Sequence, residues 1–153
     1  MKKLQFIIGL CLLLCCFSCD QGDDVGEIFV SGKWTVVNYF NTTDWKNSNK
    51  AQPIYTSFED VTAIKGLTIA FEESGVFSGT LTCGGTITGT WEANGKDRTV
   101  FIDGKNIRTT GSLNGFDNEF VRILTDARYY QGDSRNLLLT IEKKTYYVQL
   151  SHY

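Results

Sequence analysis

The chain has 153 residues, 13% of them aromatic, with 15 Lys and Arg against 17 Asp and Glu. A net charge of −2 lacks the basic excess that nucleic acid demands of its binders. Four of the five cysteines lie within residues 1–19, so Cys83 stands alone in the body of the chain and a disulfide framework is excluded.

The N-terminus reads in three parts. Lys2 and Lys3 form a positive start, Phe6 to Phe17 an uncharged apolar run, and Ser18 a small residue before Cys19. That order is a secretory signal, and the run is shorter than the ~20 residues a membrane-spanning helix needs. Cys16-Phe17-Ser18-Cys19 resembles a lipobox, with Phe17 bulkier than usual, in the manner of Bacteroidota lipoproteins. Residues 1–18 are therefore expected to be removed and Cys19 to carry lipid; each buried lipid CH₂ contributes ~0.8 kcal/mol, and two or more chains anchor stably. Cys11, Cys15 and Cys16 are weaker candidates, because only Cys19 joins the end of the apolar run to a preceding Ser. The bland alternative is a secreted protein cleaved near Ser18. Cleavage removes two lysines and no acid, leaving 13 basic against 17 acidic side chains and a net charge of −4 over 135 residues, enough for one domain. The expected location is the outer membrane, on its surface or periplasmic face. Asp20, Asp23 and Asp24 resemble the acidic export signal of surface lipoproteins, although Gly22 precedes the acid pair; the alternative is a solvated acidic linker.

Residues 19–31 are expected to be a lipidated acidic tether, too polar and Gly-rich to order themselves. A single β-rich domain is expected over 32–153. Gly32 to Phe40 is rich in β-branched and aromatic residues, with Trp34 and Val36 on one face. Residues 41–65 form a long connection in which Ser57 and the acids after it predict a short helix over 58–64, stopped at Gly66. Alternation at Leu67/Ile69/Phe71, at Phe77/Gly79/Leu81/Cys83 and at Ile87/Gly89/Trp91, with turns at Gly75, Gly84-Gly85 and Asn94-Gly95, predicts an antiparallel meander continuing through Thr99–Ile102. Phe120, Val121, Leu124 and Ala127 follow a helical stripe, with Asp117 as the expected N-cap of a helix over 117–127. Leu137/Leu139/Ile141 and Tyr146/Val148/Leu150 give the last two strands. The predicted architecture is mainly β: a single antiparallel sheet curled into a half-open barrel or sandwich, crossed by one helix.

This order of elements is similar to the META domain of the heat-shock lipoproteins, over about residues 32–150. The likeness is carried by Leu67–Phe71, by Phe77 to Gly85 with its Ser78-Gly79 and Cys83, by Gly89-Thr90-Trp91, by Glu119 to Leu124, and by Leu137–Ile141. Gly84 stands where that family has Asn, and Thr109-Thr110-Gly111 where a second Cys often lies, so any family disulfide is absent. The resemblance implies an antiparallel β fold with one helix and no defined activity. Uncharacterised Bacteroidota lipoproteins with lipocalin-like β domains are a second family of similar outline.

Chemistry-bearing patterns are few. Once residues 1–18 are removed and Cys19 is lipidated, Cys83 is the one free thiol, and its expected role is a small apolar residue on an inner strand face. His152, the sole histidine, lies one residue from the C-terminus. No Cys or His spacing suits a metal, and Asp103-Gly104-Lys105-Asn106 reads as a hairpin turn, not a calcium loop. No catalytic residue, metal or cofactor is assigned. Recognition remains: Trp45, Tyr55 and Phe58 in the long connection, with Tyr129 and Tyr130 in the expected connection after the helix, are candidates to line a groove for a protein, glycan or small molecule. The ordinary alternative is that these aromatics cover an open end of the sheet. The expected function is non-enzymatic binding or envelope support. A lipocalin-like carrier of an apolar small molecule comes second, and a hydrolase with scattered catalytic residues third.

Overall fold

The structure is a computed structural model, and it describes residues 22–152. Eight strands make a closed antiparallel barrel: β1 (Lys33–Thr42), β3 (Thr68–Phe71), β4 (Val76–Thr80), β5 (Thr86–Asn94), β6 (Thr99–Ile102), β8 (Ala127–Gly132), β9 (Asn136–Ile141) and β10 (Tyr146–Ser151). Two short strands lie off this circuit, β2 (Ala51–Pro53) on β1 and β7 (Arg108–Thr109) on β5. The expected half-open sheet is in fact closed, because β1 pairs with β10 from Thr35↔Ser151 to Asn41↔Tyr146. Closure leaves no barrel strand with an unpaired edge of full length.

Alternation places Trp34, Val36, Ile69, Phe77, Ile87, Trp91, Leu139, Val148 and Leu150 inside. Gly89 also points inward, and a Cβ there would meet the Phe77 ring at 2.6 Å, so glycine makes room for that ring. A register shift between Val36 and Asn38 turns the next inward residue from Asn38 to Tyr39. Asn38 instead takes up the connection before the second helix. Its side chain donates to the Tyr55 carbonyl at 2.7 Å and accepts from the Tyr55 N–H at 3.2 Å.

Three α-helices among the described residues close the two ends. α1 (Val25–Phe29) lies at the end where β5 meets β6, here called the plug end. α2 (Phe58–Ile64) and α3 (Gly115–Asp126) belong to the opposite, helix end. α2 has the predicted span, with Ser57 capping it through the Asp60 N–H. α3 begins two residues before its predicted start of 117 and ends one before 127. Its N-cap is Asn114, and Asp117 is the reciprocal partner in a capping box.

The expected tether needs a larger correction. Asp24 caps α1 by accepting from the Glu27 N–H at 3.0 Å. Phe29 is wholly buried, stacked on Trp91 at 4.9 Å and edge-on to Phe71 and Tyr130 at 5.1 and 4.9 Å. Trp34 Nε1 donates to the Phe29 carbonyl at 3.0 Å. Residues 25–31 therefore belong to the domain, whose boundary is not residue 32. Burying a Phe contributes roughly 1.5–3 kcal/mol, and favourable aromatic pairs add about 0.5–1.5 kcal/mol each, a large share of the cost of ordering five residues that propensity alone leaves undecided. Cys19 and Asp20 lie outside the described residues.

Candidate functional site

The barrel axis is full. Phe29, Trp34, Tyr39, Phe77, Phe120 and Tyr130 have 0% of their surface exposed, so no water-sized space touches them. The large enclosed apolar cavity that a carrier requires is not what these side chains leave.

A hollow lies instead on the outer wall. β6 and β8 pair only at Thr99↔Tyr129, with the Tyr130 N–H donating to the Arg98 carbonyl at 3.0 Å, and then diverge. A groove of about 520 Å³ opens beside that divergence. Glu92 and Phe101 face each other across β5 and β6 on one side, as do Asn94 and Thr99. Tyr129, Arg128 and Glu142 form the other side. Phe101 is 47% exposed, a large apolar face in open water.

A second register shift, between Ala127 and Tyr129, explains why β8 supplies two successive groove residues. Strict alternation would send one of Arg128 and Tyr129 inward; the bulge keeps both on the wall while Ala127 and Tyr130 remain buried. Arg128 Nη1 donates to the carbonyls of Thr125 and Ala127 at 3.0 and 2.6 Å, holding a cation at the C-terminal end of α3, where the helix dipole favours it. The Tyr129 hydroxyl donates to Glu142 at 3.1 Å, and Lys144 Nζ lies 3.8 Å from the centre of its ring. The hydrogen bond it donates to Glu142, and then the charge of Glu142, raise the Tyr129 phenol above its ordinary value. Tyr129 stays a neutral donor at physiological pH. The groove thus joins two aromatic faces to a carboxylate–phenol pair, a guanidinium and an amide, a mixture suited to recognition by stacking and hydrogen bonding.

The five aromatics proposed from sequence separate. Tyr129 lines the groove, and also a smaller hollow of about 130 Å³ shared with Trp45, Lys46, Arg98, Tyr130 and Lys144. Trp45 is only 9% exposed and Tyr130 is in the core, so both chiefly support the wall. Tyr55 lies at the helix end, edge-on to Tyr39 at 5.8 Å and Phe116 at 5.3 Å. Phe58 is 82% exposed on α2. Sequence reasoning missed Phe101, Arg128 and Glu142. The alternation of Thr99–Ile102 already put Phe101 on the wet face, which was the available signal; the bulge that presents Arg128 has none.

Two polar clusters close the helix end. Asp117 is fully buried and accepts from the Thr82 N–H and hydroxyl, both at 2.7 Å, and from the Asn114 N–H at 3.1 Å. Burial pushes its carboxyl up, but the hydrogen bonds from Thr82, Asn114 and Cys83 outweigh that and hold it below the usual carboxylate range. Tyr146 donates to Glu119, which pairs with Arg122 at 2.7 Å, and Arg122 sits 5.1 Å over the Tyr146 ring. Burial, then the bond to Glu119, lifts the Tyr146 phenol far above its ordinary range.

Cys83 is on the β4–β5 turn, not on a strand as expected. It is half-buried with its thiol 3.9 Å from the Thr110 carbonyl. His152 is at the plug end, 3.2 Å from the Ser134 carbonyl, so the fold keeps thiol and imidazole at opposite ends. Among the described residues, no three His, Cys, Asp or Glu side chains are grouped to hold a metal ion.

The fold is a small closed antiparallel β-barrel, plugged at both ends, with an open groove on its outer wall. A family model described as "Domain of unknown function (DUF4847)" matches residues 20–152, and the chain belongs to that family. A crystal structure of a DUF4847 family protein from Bacteroides vulgatus ATCC 8482 is similar at 37% identity and a TM-score of 0.72, covering 84% of this chain and 97% of that one. A protein solved by NMR is similar at 14% identity and a TM-score of 0.41, covering 75% of this chain and 88% of that one. No curated protein matches the chain. These matches do not bear on the META resemblance.

Proposed function

We propose that this chain is a lipid-anchored outer-membrane lipoprotein whose barrel binds a partner in the outer groove without transforming it. The observation that carries the binding reading is the contrast between the filled axis and the open groove with Phe101 and Tyr129 on its walls. Aromatic faces set among hydrogen-bonding groups suit a glycan or a polar protein surface better than a wholly apolar molecule. The anchoring reading is supported by Ser18-Cys19 closing the apolar run.

The test is a photo-crosslinking amino acid at Phe101 in the native envelope. A discrete adduct is expected, and Tyr129→Ala should abolish it. An adduct indifferent to Tyr129, or the same adduct from a crosslinker at Val76 on the barrel wall, would sink the groove reading.

The acidic stretch is proposed as an export signal on narrower ground, because two of its acids have structural roles. Asp23 pairs with Arg98 at 2.9 Å, and Asp24 is the N-cap of α1. Alanine at both would confuse export with folding. Asp23→Asn with Asp24→Ser removes both charges and keeps an N-cap. Protease shaving of intact cells should cut the parent and spare this variant if the charges direct export; equal cutting of both would rule the signal out.

A further inference from the structure

The point at which the chain enters the barrel is pinned. The Asp23 N–H donates to the Gly95 carbonyl at 3.1 Å, and Arg98 Nη2 donates to Asp23 at 3.0 Å. Gly22 lies so close to the β5–β6 turn that a Cβ on it would meet the Lys96 nitrogen at 2.5 Å. The described chain therefore starts at one edge of the plug end, against residues 95–98. Only three residue steps separate Gly22 from Cys19. Fully extended, they span roughly 11 Å.

The barrel is taller than that leash. A nine-residue strand such as β5 is about 30 Å long, and a barrel tilt of 35–45° leaves about 21–25 Å of height between its ends. We infer that a lipid on Cys19 fixes the barrel's orientation, with the plug end against the phospholipid headgroups and the helix end directed away from the membrane. This rests on the proposed lipidation. The occupant of the plug-end surface is the bilayer that holds the chain's own lipid.

The turns brought to that surface are 72–75, 95–98 and 133–135. They mix signs: Glu72, Glu73, Asp97 and Asp133 stand among Lys96, Arg98 and Arg135. The leash, not a basic patch, sets the orientation, and it should persist at high salt. The helix end then presents exposed Phe58 and Ile54 to the surroundings. The outer groove runs up the wall from Asn94, near the headgroups, to Glu142, toward the far end. A ligand in it would be read within reach of the membrane surface.

The test uses the chain from Cys19 onward with Cys83→Ser, coupled through Cys19 to maleimide-headgroup phospholipid in nanodiscs that also carry nitroxide-headgroup lipid. Amide signals of 72–75, 95–98 and 133–135 should broaden strongly while those of 54–64 stay sharp. A long Gly-Ser insert after Gln21 should erase the contrast. Equal broadening at both ends without the insert, or stronger broadening at 54–64, overturns the inference. Mass spectrometry of Cys19 in the native protein reads the premise separately: an unmodified Cys19 overturns lipid anchoring whatever the nanodiscs show.

Discussion

Both ends of the barrel bury apolar helix side chains, Phe29 on α1 and Phe120 on α3, but only the helix end adds a buried charge. At the plug end α1 inserts Phe29 among Trp91, Phe71 and Tyr130, an apolar seal. At the helix end the buried carboxylate of Asp117 ties the β4–β5 turn to the start of α3, and the Tyr146–Glu119–Arg122 group lies nearby. An apolar seal is indifferent to register and pH but fails when volume is removed. A buried hydrogen-bonded carboxylate fixes one geometry and fails when its charge is lost.

The largest expected effect is at the apolar seal. Phe29→Ala should lower unfolding free energy by about 3–5 kcal/mol, read from denaturant midpoints. A chain beginning at residue 32, the boundary suggested by sequence, should lose cooperative unfolding. Retention of the parent midpoint by that chain would show that α1 is not a seal.

At the other end, Asp117→Asn should cost about 1.5–3 kcal/mol at neutral pH, because hydrogen bonds to a charged group are replaced by neutral ones. Asp117 titrates lower folded than unfolded, so its contribution is complete above about pH 4 and is lost as pH falls through the folded value. The Asn variant should therefore approach the parent in acid, and a difference constant down to pH 2 would refute this account. Asp133, also held low by the Arg135 and Asn136 N–H groups, lies on a solvent-facing turn and should add only a small acid dependence.

Asn114→Ala removes the α3 cap and should cost about 1 kcal/mol in the same denaturation experiment, with Asn114→Ser close to neutral. Tyr129→Ala, on the outer wall, should change stability by about 0.5 kcal/mol or less, so lost crosslinking at Phe101 would report binding and not folding.

The two ends were also unequally legible. The meander, α2 and the inward faces of β3, β5 and β10 follow from period-2 alternation and turn residues, because burial on one side leaves that mark. The α3 stripe is visible in the sequence, and Asn114-x-x-Asp117 is a capping box that makes Asn114, not Asp117, the cap and sets the start at the observed position. α1 looks like linker because five residues carry no period and acids and glycines flank them. Asp24-x-x-Glu27 just before Ile28-Phe29 was the overlooked signal, and a tertiary aromatic cluster decides the rest. β8 was missed because its bulge breaks alternation at Arg128 and Tyr129, the residues it delivers to the groove. The candidate site was thus half-readable: Tyr129 by type, Phe101 by phase, and their meeting only by barrel closure.

That closure also sets an order of events. β1, at residues 33–42, is made early, yet one of its principal partners is β10, at residues 146–151. Local hairpins such as β4–β5 can pair at once, while the circle waits for the last strand, and a contact of such sequence separation must overcome the entropy of closing nearly the whole chain into a loop. Folding of this barrel should be limited by that final seam. A chain interrupted before Tyr146 would leave β1 and β9 as open edges, and its fate would be association with other chains.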